Sequence, residues 1–70
     1  MTADEQRTWE IARRVCTPAE LEALRTRERL ANAGRPYGYR SIATELGVSV
    51  ITVRDRIRRA EARIERERPT

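Results

Sequence analysis

The sequence contains no histidine, no lysine and no phenylalanine, and only one cysteine, Cys16. One cysteine cannot form an intramolecular disulfide, and without histidine it cannot complete a zinc site. A Gly-rich phosphate loop and a cluster of metal ligands are also lacking, so we expect neither an enzyme nor a bound cofactor. We expect Cys16 to be a small buried apolar residue, which fits a reduced, cytoplasmic setting.

Long apolar runs and strand signals are absent as well. No stretch approaches the length that crosses a bilayer and no signal peptide is visible, so we expect no membrane partner. Aromatic residues make up 4% of the chain, and alanine, glutamate, arginine and leucine dominate it. Seventy residues of this composition predict one small all-α domain, a bundle of about four helices.

The net charge of +4 lies entirely in the second half of the chain. Residues 1–34 hold six arginines and six acids, whereas residues 35–70 hold nine arginines and five acids. A basic half of this kind predicts a polyanionic partner. The alternative interpretation of the charge is a solvated helix surface with many ion pairs.

The most informative stretch is residues 39–57, which predicts two short helices joined by a tight turn. Ile42, Ala43 and Leu46 have the spacing of one helical face. Gly47 then ends the helix, because glycine readily adopts the left-handed conformation that a helix end requires.

The second helix of this stretch begins after Ser49, whose hydroxyl is a good N-cap. Val53 and Ile57 are its inward residues. Together the two helices form the sequence pattern of a helix-turn-helix, whose second helix enters the major groove of DNA. The alternative is two amphipathic helices that merely meet at a glycine corner.

Two further helices precede this stretch. The first covers about residues 3–15, with Trp9 as a core anchor, and residues 1–16 form an N-terminal unit. Thr17 and Pro18 mark the start of the second helix, which Gly34 ends, and residues 17–68 form the main unit of one compact domain.

The last helix has no stop signal until Pro69, and its apolar stripe is Val53, Ile57, Ala60 and Ile64. This stripe extends about two turns beyond the usual end of a recognition helix. We favour packing of this extension on the first helix over self-association through it, because the seam is too short for a stable coiled coil. The chain is therefore expected to be a monomer or a homodimer.

The candidate DNA-binding residues lie on the outer face and at the start of the last helix, with one at the start of the third. They are Arg40, Ser49, Val50, Ile51, Thr52, Arg54, Asp55, Arg58 and Arg59.

Arg54, and next Arg58, are the predicted guanine or phosphate contacts, and Val50 and Ile51 are placed to touch a thymine methyl. Asp55 either accepts a hydrogen bond from cytosine or pairs with a neighbouring arginine. Thr52 either contacts DNA or caps its own helix.

The arginines further round the helix, Arg56, Arg59 and Arg63, are predicted to contact the DNA backbone, which positions a protein without reading sequence. Before the third helix, Arg35 and Arg40 flank the connector. Each of these two either reaches a phosphate or is solvated.

About residues 17–65 resemble region four of bacterial sigma factors, most closely the extracytoplasmic-function subgroup, and share part of their pattern with LuxR-type regulators. The matching segments are Thr17–Leu24, Gly38–Ala43, Leu46–Val50, Thr52–Arg54, Arg56–Ile57 and Arg59–Ala60. The resemblance implies a domain that reads the −35 promoter element with its last helix and touches RNA polymerase. It places the DNA contacts on Val50, Ile51, Thr52, Arg54, Asp55 and Arg58.

The chain also departs from that family. No region-two domain is present, so we expect a small phage or bacterial regulator rather than a complete sigma factor. Ser41 replaces an acidic residue, and Val50 and Ile51 stand where charged residues are common.

A transcriptional regulator that binds double-stranded DNA is therefore the leading hypothesis. One alternative is a protein-interaction module that docks on RNA polymerase or another partner without reading DNA. The other is a DNA-binding accessory of phage packaging or recombination, such as part of a small terminase subunit.

Overall fold

The computed structural model describes residues 2–68, which form four helices and, within that range, no strand. They are α1 (Ala3–Val15), α2 (Pro18–Asn32), α3 (Tyr39–Leu46) and α4 (Val50–Glu67). The predicted all-α class and the number of helices are confirmed. None of these helices is both long enough and apolar enough to cross a membrane.

Local capping signals set where the helices begin. Thr17 caps α2: its hydroxyl accepts a hydrogen bond from the backbone N–H of Glu20 at 3.2 Å, and the Glu20 carboxylate accepts one from the Thr17 N–H at 3.0 Å. Pro18 takes the first helical position, where its missing N–H costs nothing. Thr2 caps α1 in the same way, through a hydrogen bond from the N–H of Glu5. The predicted starts of both helices are confirmed.

Two glycines set where α2 and α3 end. Gly34 and Gly47 have φ angles of 70° and 67°, in the left-handed region that costs other residues energy. After each glycine the chain folds back, so that the N–H of Arg35 reaches the carbonyl of Leu30 and the N–H of Val48 reaches that of Ala43. Both predicted helix ends are confirmed, and a turn of only three residues separates α3 from α4.

The hydrophobic core lies between α4 and the three other helices. The predicted α4 stripe of Val53, Ile57, Ala60 and Ile64 is buried along its whole length. Trp9 packs against the edge of this core and is only partly buried. With no phenylalanine available, short aliphatic side chains supply nearly all of the packing.

The C-terminal half of α4 packs on α1, and the two helices run in opposite directions. The thiol of Cys16, just after α1, lies 3.9 Å from the carbonyl oxygen of Ala60, and the guanidinium of Arg68 donates to the hydroxyl of Thr8 at 3.1 Å. The expected packing within the chain is therefore confirmed, and the apolar stripe of α4 is not free for a coiled coil.

The buried face of α2 differs from the predicted one. The helical period of its sequence predicts an apolar stripe that includes Leu24 and Ala31, with Leu30 beside it, but Ala31 is exposed and Leu30 is 2% exposed. Ala23 and Thr26 are also buried. The reason is that α2 packs against both α3 and α4, so its covered surface is wider than one stripe and is rotated away from Ala31.

Candidate nucleic-acid interface

The start of α4 is held by hydroxyl groups. Ser49 caps the helix by accepting a hydrogen bond from the backbone N–H of Thr52 at 3.1 Å, and the two hydroxyl oxygens lie 2.8 Å apart. Both side chains therefore fix the beginning of the helix, which was one of the two roles expected for Thr52. Their predicted contacts with DNA stay predictions.

No acidic residue occupies the first turn of α4. In contrast, α1 has Asp4 and Glu5 there and α2 has Glu20, which complement the positive end of the helix dipole. At α4 this positive end is left without a compensating carboxylate, and an uncompensated helix N-terminus favours a bound anion.

Two aliphatic side chains are exposed at the same place. Val50 is 40% and Ile51 69% exposed, and the two other exposed large hydrophobic residues of the described chain are both tyrosines, Tyr37 and Tyr39. Neither residue contributes to the core. The fold gives these side chains no packing role in the core, so they remain accessible at the tip of α4.

Charge is unevenly distributed along α4. Residues 50–60 hold four arginines and one acid, a net charge of +3, whereas residues 61–68 hold three arginines and three glutamates. None of the four arginines in the first part forms an ion pair with another described residue. They are Arg54, Arg56, Arg58 and Arg59.

The arrangement of these arginines is unfavourable for the isolated helix. Arg54 and Arg58 are four residues apart, and like charges at that spacing cost a few tenths of a kcal/mol. Asp55 is within helical reach of Arg58 and Arg59 but forms no ion pair with either, so the predicted pairing is not observed. The outer face of this part of α4 thus keeps its arginines unpaired, at a small cost to the helix.

The other predicted site residues lie further from the tip of α4. Arg59 is exposed on the same helix, about one turn beyond Asp55. Arg40 is exposed near the start of α3, six residues before Leu46 and so about 9 Å along the helix from the turn. The predicted α4 residues thus follow the first half of one helix, whereas Arg40 lies near the start of α3.

The connector arginine Arg35 has a structural contact instead. Its guanidinium lies 3.1 Å from the carboxylate of Glu45, which also has Arg29 at 3.5 Å. These two pairs tie α2 and the connector to α3. The Arg35 side chain is still 61% exposed, in keeping with the solvated alternative, and its contact with Glu45 comes in addition. The phosphate contact stays a prediction.

The structure corrects the prediction that Arg63 contacts the DNA backbone. Its guanidinium lies 2.9 Å from the Glu20 carboxylate and 3.4 Å from the carbonyl oxygen of Val15. Glu20 is 4% exposed, and a buried carboxylate is costly to the fold unless it is paired or hydrogen-bonded. Arg63 therefore joins the α1–α2 junction to α4, and it does not belong to the candidate interface.

Cys16 lies next to this ion pair. Burial raises the pKa of the Cys16 thiol above its ordinary value of 9.0, and the Glu20 charge adds to that effect, while Arg63 opposes it. The thiol is thus neutral at physiological pH and is a poor nucleophile. Among residues 2–68, no three histidine, cysteine or acidic side chains come together as a possible metal site.

The chain was also compared with known proteins. No protein-family model, no curated protein and no solved structure matches it.

Proposed function

We propose that this chain binds double-stranded DNA and regulates transcription, with the start of α4 in the major groove. The single observation that carries the proposal is the unpaired basic part of α4, residues 50–60, which begins with two exposed aliphatic side chains. The resemblance of residues 17–65 to region four of sigma factors supports the same orientation on DNA.

The positive charge of residues 50–60 suits the phosphate backbone of DNA. Arg56, Arg58 and Arg59 are free of acidic partners in the described chain, and the amino end of α4 adds the positive end of the helix dipole. Neutralising phosphates with arginines releases counterions, so the affinity for DNA depends steeply on salt concentration. Arg40, on α3, is the predicted contact to a more distant phosphate.

In this proposal, the residues at the start of α4 read the base sequence of the DNA. Arg54 is one turn from Val50, so both can face the same base step. A guanidinium suits the two acceptors of guanine, and an aliphatic side chain suits the thymine methyl. We expect a site in which a guanine lies next to a thymine, with Asp55 as the acceptor for a neighbouring cytosine.

Fluorescence anisotropy with a labelled mixed-sequence duplex over a salt series tests the proposal. The matched variants are Arg58→Ala and Arg66→Ala, which remove the same charge from the basic and the neutral part of one helix. We expect Arg58→Ala to lower affinity and to reduce the slope of log K against log salt by about 0.9. Arg66→Ala is expected to leave both nearly unchanged.

Site selection from a random duplex library tests the sequence preference. We expect Arg54→Ala to cost about 1–3 kcal/mol on the selected site and to relax the preference at one guanine. Equal effects of Arg58→Ala and Arg66→Ala, or no binding at low salt, would contradict the DNA-binding function.

The exposure of Ile51 favours one second candidate, a protein-docking surface that contacts RNA polymerase or another partner. An aliphatic side chain that is 69% exposed suits an apolar protein pocket as well as a thymine methyl. Capture of purified polymerase that survives nuclease and high salt, and that Ile51→Ser abolishes, would favour this function over DNA binding.

A further inference from the structure

A second surface, remote from the start of α4, surrounds Trp9 on α1. The packing partner of α1 is α4, and α1 makes little contact with α2. An open groove of about 730 Å³ therefore runs between α1 and α2, and its lining includes Trp9, Arg13, Arg25, Glu28, Arg29 and Asn32. A partly buried tryptophan within a charged rim is a common composition for a protein interface.

The charges of this groove do not suit DNA. Glu10 and Glu28 alternate with the three arginines of its lining, whereas residues 50–60 of α4 hold four arginines and a single acid. A polyanion would meet carboxylates on both walls of the groove. A protein surface that itself carries both signs fits this groove better.

One row of side chains on α1 carries opposite charges at its two ends, so two antiparallel copies of it are complementary in charge. Glu5, Trp9 and Arg13 are spaced by four residues, so they lie along one face of the helix. Two copies of this row, placed antiparallel about a twofold axis at Trp9, bring Glu5 of each copy opposite Arg13 of the other. The two tryptophans then meet at the centre, as an isologous interface requires.

The fold leaves both charges of this row available. Glu5 and Arg13 are exposed, and neither forms an ion pair with another described residue. They are also about 12 Å apart along the helix, too far to pair with each other within one chain. We propose that this face of α1 binds a second copy of the chain, in an antiparallel α1–α1 dimer centred on Trp9.

The dimer leaves the proposed DNA surface free. Cys16, at the end of α1, lies against Ala60, and α1 runs from there away from the start of α4. Trp9 is seven residues before Cys16 and thus about 10 Å further from that tip. The two surfaces lie at different ends of the molecule, so a dimer presents two α4 tips related by a twofold axis, the arrangement that palindromic sites match.

Charge reversal tests the pairing without any DNA. Glu5→Arg places arginine opposite Arg13 twice, and Arg13→Glu places glutamate opposite Glu5 twice. By analytical ultracentrifugation at low salt, we expect each single variant to weaken dimerisation by roughly tenfold or more. The double variant Glu5→Arg/Arg13→Glu restores it, because the opposite charges face each other again.

An equimolar mixture of the two single variants is the sharpest form of the test. The Glu5→Arg copy carries two arginines on the row and the Arg13→Glu copy carries two glutamates, so the mixture forms a heterodimer more tightly than either variant forms a homodimer. A change in helix stability cannot produce this rescue. Asp4→Arg and Arg14→Glu are the matched controls, because both residues are exposed on α1 but lie off the row.

Trp9→Ala is expected to abolish the dimer, with circular dichroism as the check that the helices persist. A monomer at all concentrations would overturn the proposal and leave the groove to another occupant. A dimer that tolerates both single charge reversals would also overturn it. Because none of these measurements involves DNA, a failure here is separate from a failure of the proposed function.

Discussion

The two halves of α4 belong to one continuous helix but differ in net charge and in ion pairing on their outer face. Residues 50–60 have a net charge of +3, unpaired arginines and an exposed Ile51, whereas residues 61–68 are neutral and Arg63 and Arg68 there bind other parts of the chain. The apolar stripe runs through both halves without a break. The difference therefore lies only on the outer face, where the first half leaves all four arginines unpaired and the second half pairs two of its three.

This contrast shows how to separate stability from binding on a single helix. A position whose side chain is covered or paired by other helices contributes to folding. A position left unpaired, at a cost to the isolated helix, is available for a partner. The following substitutions test whether the division holds.

The largest expected effect is at Ile64, compared with Ile51. Ile64 is 6% and Ile51 is 69% exposed. Ile64→Ala removes buried methyl groups and is expected to lower the free energy of unfolding by about 2–4 kcal/mol. Ile51→Ala is expected to change it by less than about 0.5 kcal/mol. Urea denaturation followed by circular dichroism measures both, and similar losses at the two positions would remove the distinction between the halves.

A smaller effect is expected at Arg63, compared with Arg59. Arg63→Ala leaves the carboxylate of Glu20 buried without its charged partner, and we expect a loss of about 1–2 kcal/mol, since the Arg63 side chain is 41% exposed. Arg59→Ala removes no ion pair in the described chain and is expected to leave stability unchanged.

Binding should give the opposite order for these two variants. We expect the affinity for the mixed-sequence duplex, measured by anisotropy, to fall for Arg59→Ala and to change little for Arg63→Ala, under conditions where both variants are folded. Equal losses of affinity would place Arg63 in the interface despite its contact with Glu20.

The smallest expected effect concerns the turn that precedes the basic half. Gly47 has a φ of 67°, and an added Cβ there would meet no atom within 4 Å, so Gly47→Ala costs only the backbone strain of about 1 kcal/mol. Gly38 also has open space but an ordinary φ of −73°. Gly38→Ala adds no backbone strain and only weakens a glycine N-cap, so it is expected to cost less than Gly47→Ala. Thermal melts that rank the two variants in the reverse order would show that the α3–α4 turn is not fixed by Gly47.

The helices were largely predictable because their boundary signals are local. Thr17, Pro18, Gly34, Gly47 and Ser49 each act within a few residues of their own position, and all five are where the structure begins or ends a helix. The α4 stripe was predictable for the same reason, since its 3.6-residue period is visible in the sequence.

Contacts between distant residues were not predictable in this way. The sequence places Glu20 three residues after Thr17, the spacing of a capping box, and nothing near it indicates that it is buried against Arg63, 43 residues later. The rotated face of α2 follows from packing against two neighbours at once, which the period of one helix does not encode. The apolar stripe of α4 predicts which of its candidate site residues are exposed. No local signal predicts that Arg35 pairs with Glu45.

The packing of α1 has a consequence for how the chain is made. A helix of 13 residues is marginal by itself in water, and α1 packs on α4, the last of the four described helices in chain order. Its hydrogen bond from Arg68 to Thr8 spans 60 residues. While the chain emerges from the ribosome, α1 therefore waits with Ile11 and Ala12 uncovered until residues 60–68 have left the exit tunnel. A ribosome that pauses before that point would hold an unfinished bundle, and nascent-chain protection from proteolysis should rise only after α4 is complete.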